Sequence, residues 1–287
     1  MSLPARQSFS RPNGDISLLE WSHSSGPALY FAHATGFNAQ TYVPLLTPLA
    51  ANMRVIAADA RGHGFTTLPT GPGMAKGWEI YRDDLAALLD ATAPGPLYLA
   101  GHSMGAVTCA MFAARWPERV KGLILLEPVL IPWIARLILL LPGGLNSAMS
   151  NRAEKRRDRF PSLEAAQTSY RGRGAFRTWP EDFLTAYLQG GLIPTGQGEE
   201  LRLACAPSWE AQTFRSAPFG AARLARKIRC PVTLIYAEHS TPPESECRAF
   251  ARAHSNTRLL KIPDTTHFLP MERPDLVREE IARMVMG

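Results

Sequence analysis

The chain has 287 residues, of which 46% are hydrophobic and 20% are charged, and its formal net charge is +6. A chain of this size and composition can bury a large core without a disulfide or a structural metal. The 24 prolines and 22 glycines are scattered rather than clustered, which excludes a long low-complexity tract. No nucleic-acid-binding motif accompanies the positive charge, so we expect a solvated basic surface and no nucleic-acid partner.

The densest basic run extends from Arg152 to Arg159 and also contains Glu154 and Asp158. Mixed charges at such spacing are typical of a solvated helix face, and we interpret the run in that way.

Nothing in the sequence predicts export or a membrane span. The first residues lack a charged start followed by an apolar stretch, so no secretory signal is predicted. The longest apolar run, Ile131 to Leu141, contains Arg136 and is too short to cross a bilayer. The four cysteines form no CxxC pair. We expect a cytoplasmic, thiol-reduced protein without stable membrane insertion, as a monomer or a homodimer.

The predicted elements begin with an antiparallel hairpin. Gln7–Ser10 and Ile16–Trp21 flank a turn with Asn13-Gly14, which is a strong hairpin signal. Continuous apolar runs follow, as expected for strands buried on both faces of a parallel sheet. These runs are Leu29–Ala32, Arg54–Ala58, Leu97–Ala100, Gly122–Leu126, Pro231–Tyr236 and Arg258–Ile262.

Helical patterns lie between the strands and at the C-terminal end, at Ala75–Ala91, Met104–Arg115 and Pro274–Met286. Between Glu127 and about Gly220 no strand-like run is visible, and Gly, Pro, Arg and Trp interrupt short helical pieces. A segment of this length is too long for a plain loop in a compact domain. We predict a core domain of residues 1–128 and 221–287, with a helical cap inserted at residues 129–220.

The strongest local motif is Gly101-His102-Ser103-Met104-Gly105, which lies between a predicted strand and a predicted helix. A G-x-S-x-G turn in this context forces the serine into a strained conformation and exposes its hydroxyl above the sheet. The glycines allow the strand and the helix to approach each other closely. The motif predicts that Ser103 is a nucleophile.

A nucleophilic serine needs a base, and His267 follows the last predicted strand. Histidine is the side chain best suited to exchange protons near neutral pH. A loop at the carboxyl edge of the sheet can reach Ser103, so we expect His267 to be the general base.

Charge that develops on the substrate oxygen needs two N–H donors. One should be the backbone N–H of Met104, the residue after the nucleophile. The other should come from the segment His33–Phe37, which follows an early strand. Thr35 is the preferred donor in this segment, and Phe37 is the alternative.

Four motifs resemble the α/β-hydrolase superfamily and its cap-bearing branch. They are Phe31-Ala-His-Ala-Thr-Gly-Phe37, Asp59-Ala-Arg-Gly-His-Gly64, Gly101-His-Ser-Met-Gly105 and Thr266-His-Phe-Leu-Pro-Met-Glu-Arg-Pro274. The resemblance implies a mostly parallel eight-stranded sheet flanked by helices, with the helical cap inserted after strand 6. It also implies that Asp59 and His63 fix a loop rather than perform chemistry. Epoxide hydrolases and haloalkane dehalogenases of this branch use an aspartate nucleophile, so Ser103 argues against both activities.

The triad acid departs from the family pattern. The family usually carries an aspartate after the penultimate strand, where this sequence has Ser240. Glu238 is close to that position, and Glu127 ends the strand Leu123–Leu126, from which some relatives take their acid. We assign Glu127 as the acid and keep Glu238 as the alternative.

These residues predict a serine hydrolase that cleaves a carboxylic ester with an apolar acyl or alcohol part. The apolar start of the cap predicts a hydrophobic pocket, with His33, Phe37 and Trp133 as substrate contacts. No metal-ligand motif is present, and we expect no metal and no cofactor. A carbon–carbon bond hydrolase or cofactor-free perhydrolase with the same triad remains an alternative, as does a ligand receptor without catalysis.

Overall fold

A computed structural model describes residues 3–21, 26–74, 77–135 and 148–287. Its centre is an eight-stranded sheet, which confirms the predicted architecture. The strands are β1 (Ala5–Arg11), β2 (Gly14–Trp21), β3 (Ala28–Ala32), β4 (Arg54–Ala58), β5 (Leu97–His102), β6 (Val120–Leu126), β10 (Val232–His239) and β11 (Thr257–Thr266). Their order across the sheet is β1-β2-β4-β3-β5-β6-β10-β11.

The sheet is parallel from β4 to β11, while β2 pairs antiparallel with both β1 and β4. Because parallel strands share a direction, β5, β6, β10 and β11 present their carboxyl ends at one edge. Polar residues that follow these strands are therefore brought together although they are distant in sequence.

Successive residues of each strand point to opposite faces, and both faces are covered. Tyr30 of β3 belongs to one buried cluster and Phe31 to the other. Helices α2 (Glu79–Thr92) and α3 (Met104–Arg115) contribute to the first cluster. Helices α1 (Val43–Leu46) and α10 (Pro274–Met286) contribute to the second. Burial on both faces explains why the strand sequences are continuously apolar rather than alternating.

The segment between β6 and β10 contains helices and a small second sheet. The helices are α4 (Ala148–Glu154), α5 (Leu163–Tyr170), α6 (Glu181–Gly191) and α7 (Pro207–Arg215). The expectation of no strands here was wrong. Three short strands form an antiparallel sheet, namely β7 (Arg159–Phe160), β8 (Leu192–Pro194) and β9 (Leu201–Leu203). Strands of two or three residues are too short to leave a periodic pattern in the sequence.

Hydrogen bonds from tryptophan side chains join this inserted segment to the rest of the chain. Trp78 Nε1 donates to the carbonyl oxygen of Thr213 at 3.1 Å, and Trp209 Nε1 donates to that of Arg61 at 3.0 Å. Among the described residues, two further α-helices follow β10, namely α8 (Glu244–Ala253) and α9 (Leu269–Glu272). Part of the apolar run Ile131–Leu141, predicted to begin the cap, lies outside the described residues.

Within the ranges that the structure describes, no helix has the length and hydrophobicity needed to span a bilayer. The same residues contain no group of three or more side chains suited to hold a metal ion. All four cysteines are buried free thiols.

Candidate active site

Ser103 occupies the sharp turn between β5 and α3. Its backbone φ is +57°, and its N–H donates to the carbonyl oxygen of Leu126 at 2.9 Å. A Cβ added at Gly105 would lie 2.2 Å from the carbonyl oxygen of Ala32, and one at Gly101 would lie 2.5 Å from the backbone of Gly105. Side chains at either position would therefore prevent the helix from packing against the sheet, which explains both glycines of the motif.

His267 lies between Ser103 and Glu127. Its Nε2 is 3.0 Å from Ser103 Oγ, and its Nδ1 is 3.0 Å from Glu127 Oε2. With Nδ1 protonated and donating to the carboxylate, Nε2 is free to accept the serine proton. The structure thus brings together the predicted nucleophile, the predicted base and the preferred acid.

Glu127 is fully buried at the end of β6, and both oxygens of its carboxylate accept hydrogen bonds. Oε1 accepts from the Ala237 N–H at 2.5 Å and from the Ser240 hydroxyl at 2.7 Å. Oε2 accepts from the Thr241 N–H at 3.2 Å as well as from His267. Ser240, which stands where the resemblance places the acid of the family, therefore donates to a glutamate that follows the neighbouring strand.

The alternative acid, Glu238, is placed differently. It is exposed, and its carboxylate accepts from the backbone N–H of Asp264 at 2.9 Å. That contact holds the β11 backbone before His267 but does not reach the imidazole.

The two predicted oxyanion donors remain available. Among the described residues, neither the Thr35 N–H nor the Met104 N–H has a hydrogen-bond acceptor. The alternative donor, Phe37, already donates its N–H to the carbonyl oxygen of Ala34 at 3.1 Å. Met104 is the first residue of α3, where unsatisfied N–H groups attract negative charge.

Buried polar side chains fix the turn that carries Thr35. His63 Nε2 accepts the Gly36 N–H at 3.0 Å, and Asp59 Oδ1 accepts the Ala39 N–H at 2.8 Å. Burial lowers the pKa of His63 to about 3, so its ring stays neutral and can accept this hydrogen bond. These contacts place Asp59 and His63 in the loop-fixing role that the resemblance implies.

His33, predicted to contact substrate, lies behind the site. Its Nε2 accepts the Ala60 N–H at 2.8 Å, and its Nδ1–H donates to the Ala34 carbonyl oxygen at 2.7 Å. Burial lowers its pKa to about 4, so it remains neutral. His33 does not line the large cavity described below, and its position is that of a support for the turn.

A second support was missed in the sequence. The Ala34 N–H donates to the Tyr42 hydroxyl at 3.3 Å, and that hydroxyl lies 2.7 Å from His102 Nδ1. His102 Nε2 in turn lies 2.8 Å from the carbonyl oxygen of His267. Desolvation holds the pKa of His102 well below its usual range, so the neutral ring accepts from Tyr42 and donates to His267. This series of hydrogen bonds links the turn that carries Thr35 to the backbone of His267. The position of His102 inside the Gly101–Gly105 motif was the sequence signal that could have revealed this support.

Ser103 and His267 open into a cavity of about 420 Å³. Most of its lining is apolar, including Phe37, Ile131, Phe176, Phe214 and Phe268. Trp133, another predicted substrate contact, is not part of this lining. The residue is 51% exposed, and the Arg223 guanidinium lies 5.0 Å from its ring. Other residues of the segment between β6 and β10, such as Phe176 and Phe214, contribute the apolar groups that line the cavity.

The interpretation of Arg152–Arg159 as a solvated helix face was wrong at Arg156. Helix α4 ends at Glu154, and Arg156 lies beyond it with its side chain directed into the cavity lining beside Glu210. The contacts of Arg156 are made by residues distant in sequence, so charge spacing alone could not reveal them.

Comparison with known proteins identifies the family. The model of the α/β-hydrolase fold matches residues 27–274. The 2-(acetamidomethylene)succinate hydrolase of Mesorhizobium japonicum is 26% identical over 275 residues, covering 95% of this chain and 92% of that protein. The pimeloyl-[acyl-carrier protein] methyl ester esterase of Chromobacterium violaceum is 27% identical over 269 residues, covering 88% and 92%. The crystal structure of E-2-(acetamidomethylene)succinate hydrolase superposes with a TM-score of 0.80 at 23% identity, covering 99% of this chain and all of that one. On its fold and on its sequence, the chain belongs to the α/β-hydrolase family.

Proposed function

We propose that the protein is a serine hydrolase that cleaves a carboxylic ester with an apolar acyl or alcohol part. One observation carries the proposal: Ser103 and His267 line an apolar cavity, and His267 is hydrogen-bonded to both Ser103 and the buried Glu127. In this proposal residues 129–220 form a cap domain over the core of residues 1–128 and 221–287. The protein acts in the cytoplasm without a cofactor.

The reaction begins when Ser103 Oγ attacks the ester carbonyl while His267 Nε2 takes its proton. Glu127 stabilises the imidazolium that results, and the N–H groups of Met104 and Thr35 stabilise the oxyanion. The protonated His267 then donates its proton to the leaving alcohol. Water, activated by the same histidine, attacks the acyl-enzyme, and Ser103 recovers its proton as the acid is released.

The relatives support the class of reaction. One is named for methyl ester cleavage, which agrees with an ester substrate. The other is named as a hydrolase of a substituted succinate. At 26–27% identity neither name identifies the substrate of this chain, so the apolar lining is the main argument for the substrate class.

The test is the hydrolysis of p-nitrophenyl esters of graded acyl length by the wild type and by Ser103→Ala. We expect turnover by the wild type with an optimum chain length, and loss of turnover in the variant. Ser10→Ala, an exposed serine on β1, is the matched control and should retain full activity. Turnover that survives in Ser103→Ala would contradict the proposal. If no ester reacts, a carbon–carbon bond substrate or a receptor function becomes the better explanation.

A further inference from the structure

A polar cluster within the inserted segment interrupts the apolar lining of the cavity. Its centre is Arg156, whose Nη1 donates to both carboxylate oxygens of Glu210, at 3.3 and 3.1 Å. Its Nη2 donates to the hydroxyls of Tyr170, at 3.2 Å, and of Tyr187. Arg156, Glu210 and Tyr170 all line the cavity.

The ion pair leaves this part of the cavity without net charge. The side chains of Arg156 and Glu210 are only 20% and 9% exposed, so each charge is compensated mainly by the other. A second anion near Arg156 would also face the Glu210 carboxylate, and like charges repel strongly in a poorly solvated site. The cluster is therefore unsuited to a carboxylate ligand, although it contains an arginine.

The tyrosine hydroxyls of this cluster retain protons that they can donate. A guanidinium can only donate, so each phenol oxygen accepts from Arg156 and keeps its own proton for another acceptor. Tyr187 is 1% exposed and does not line the cavity. Tyr170 lines the cavity, and its hydroxyl proton has no acceptor among the described residues.

The Tyr170 ring is held in place before any ligand binds. Its centroid lies 4.8 Å from that of Phe176 and 5.6 Å from that of Phe160, and the Arg156 guanidinium lies 5.5 Å from it. A donor fixed in this way loses little entropy when it binds a ligand oxygen.

The cluster also adjoins the oxyanion turn. A Cβ added at Gly36 would lie 2.3 Å from Glu210 Oε1, so the carboxylate packs directly against this residue. A substrate whose scissile carbonyl is held by Thr35 would therefore extend beside the cluster.

We propose that Tyr170 donates a hydrogen bond to an uncharged oxygen acceptor of the substrate, such as a ketone, ester or amide carbonyl. The inference rests on the serine-hydrolase function proposed above and narrows its substrate class. The substrate is an ester that is mostly apolar but carries a second, neutral carbonyl group at a defined distance from the scissile one.

Three series of p-nitrophenyl esters test this, each of graded acyl length. At equal length the acyl chain ends in a methyl group, a methyl ketone or a carboxylate. We expect the wild type to prefer the ketone over the alkyl chain at one spacing, by roughly three- to tenfold in kcat/KM, the factor expected for one neutral hydrogen bond. The carboxylate should be the poorest substrate. In Tyr170→Phe the ratio of kcat/KM between the ketone and alkyl esters of equal length should fall to about one, because the ring keeps its apolar surface but has no hydroxyl proton to donate.

Tyr98→Phe is the matched control, because it removes a hydroxyl from β5 outside the cavity and should keep the preference. If the alkyl esters are hydrolysed but no ketone ester is preferred at any spacing, the inference is overturned and the proposed function stands. A preference for the carboxylate, or a ketone preference that persists in Tyr170→Phe, would have the same consequence. No turnover of any ester would overturn both the inference and the proposed function.

Discussion

Replacement of Glu127 by glutamine is the sharpest test of the proposed triad, because the surroundings of this carboxylate consist of donors. Oε1 accepts from Ala237 and Ser240, and Oε2 accepts from Thr241 and His267. A glutamine must place its NH₂ group at one of these two positions. In either position it faces a backbone N–H, which then loses its acceptor.

The size of the effect follows from these contacts. One buried N–H without an acceptor should lower the free energy of unfolding by about 1–3 kcal/mol. If the NH₂ group takes the Oε2 position, it also favours the His267 tautomer that cannot accept the serine proton. If it takes the Oε1 position, His267 keeps its acceptor but loses the negative charge that stabilises the imidazolium. For a triad acid we therefore expect kcat to fall by about four orders of magnitude.

The assay compares kcat on the best p-nitrophenyl ester with the free energy of unfolding in urea. Unfolding data exclude loss of the fold as the cause of lost activity. Glu238→Gln is the matched control, since Glu238 is an exposed carboxylate on the neighbouring strand, and its kcat should change by less than about threefold. The reasoning is refuted if the control loses activity by orders of magnitude and Glu127→Gln does not.

Three further predictions concern stability. In Gly105→Ala the new methyl group meets a backbone carbonyl oxygen at 2.2 Å, so the free energy of unfolding, measured by thermal unfolding, should fall by about 3 kcal/mol or more. The control Gly95→Ala, whose added Cβ would have no atom within 4 Å, should change that free energy little. The pKa of His63 is about 3 in the folded protein and near 6.5 when unfolded, so protons bind the unfolded chain first and stability falls between these pH values as the pH drops. In urea unfolding series at several pH values, His63→Gln should make the free energy of unfolding fall less steeply than in the wild type, by about 1.4 kcal/mol per pH unit. Equal slopes in the variant and the wild type would contradict the argument. Arg156→Met leaves the Glu210 carboxylate without its partner and should lower the free energy of unfolding in urea by about 3–5 kcal/mol. The double variant Arg156→Met/Glu210→Met should recover that stability. An unchanged urea midpoint in the single variant would show that the pair does not stabilise the fold.

The sheet was predictable from the sequence because its strands are buried on both faces. Each therefore appears as a continuous apolar run, and β4 has the predicted bounds. Helices α3 and α10 also begin and end where their patterns predict. The strands of the insertion were not predictable, because their two or three residues are defined by pairing partners rather than by periodicity.

The site shows the same division between local and long-range information. Ser103 is signalled by a local motif, and the positions of His267 and Glu127 follow from the edge at which parallel strands end. The roles of Tyr170 and Arg156 depend on contacts between distant parts of the insertion, which no local pattern encodes. Trp133 was predicted from composition alone, and composition does not specify which face of a segment meets the cavity.

Backbone strain concentrates at this edge of the sheet. Among the described residues, the non-glycine residues with positive φ are Ser103 at +57°, Glu127 at +48° and Asp264 at +54°. Each such conformation costs about 1–3 kcal/mol and persists only where the surrounding structure enforces it. Here the N–H of each strained residue donates to a neighbouring strand: Ser103 to β6, Glu127 to β10, and Asp264 to the carboxylate of Glu238.

We therefore expect Glu238 to affect the site through the backbone that carries His267 rather than as the triad acid. A glutamine at this position keeps a carbonyl oxygen that can accept from Asp264, so the strained turn retains its hydrogen bond. The substitution removes the charge and preserves the acceptor. For that reason Glu238→Gln separates an acid from a structural support, which a substitution by alanine would not do.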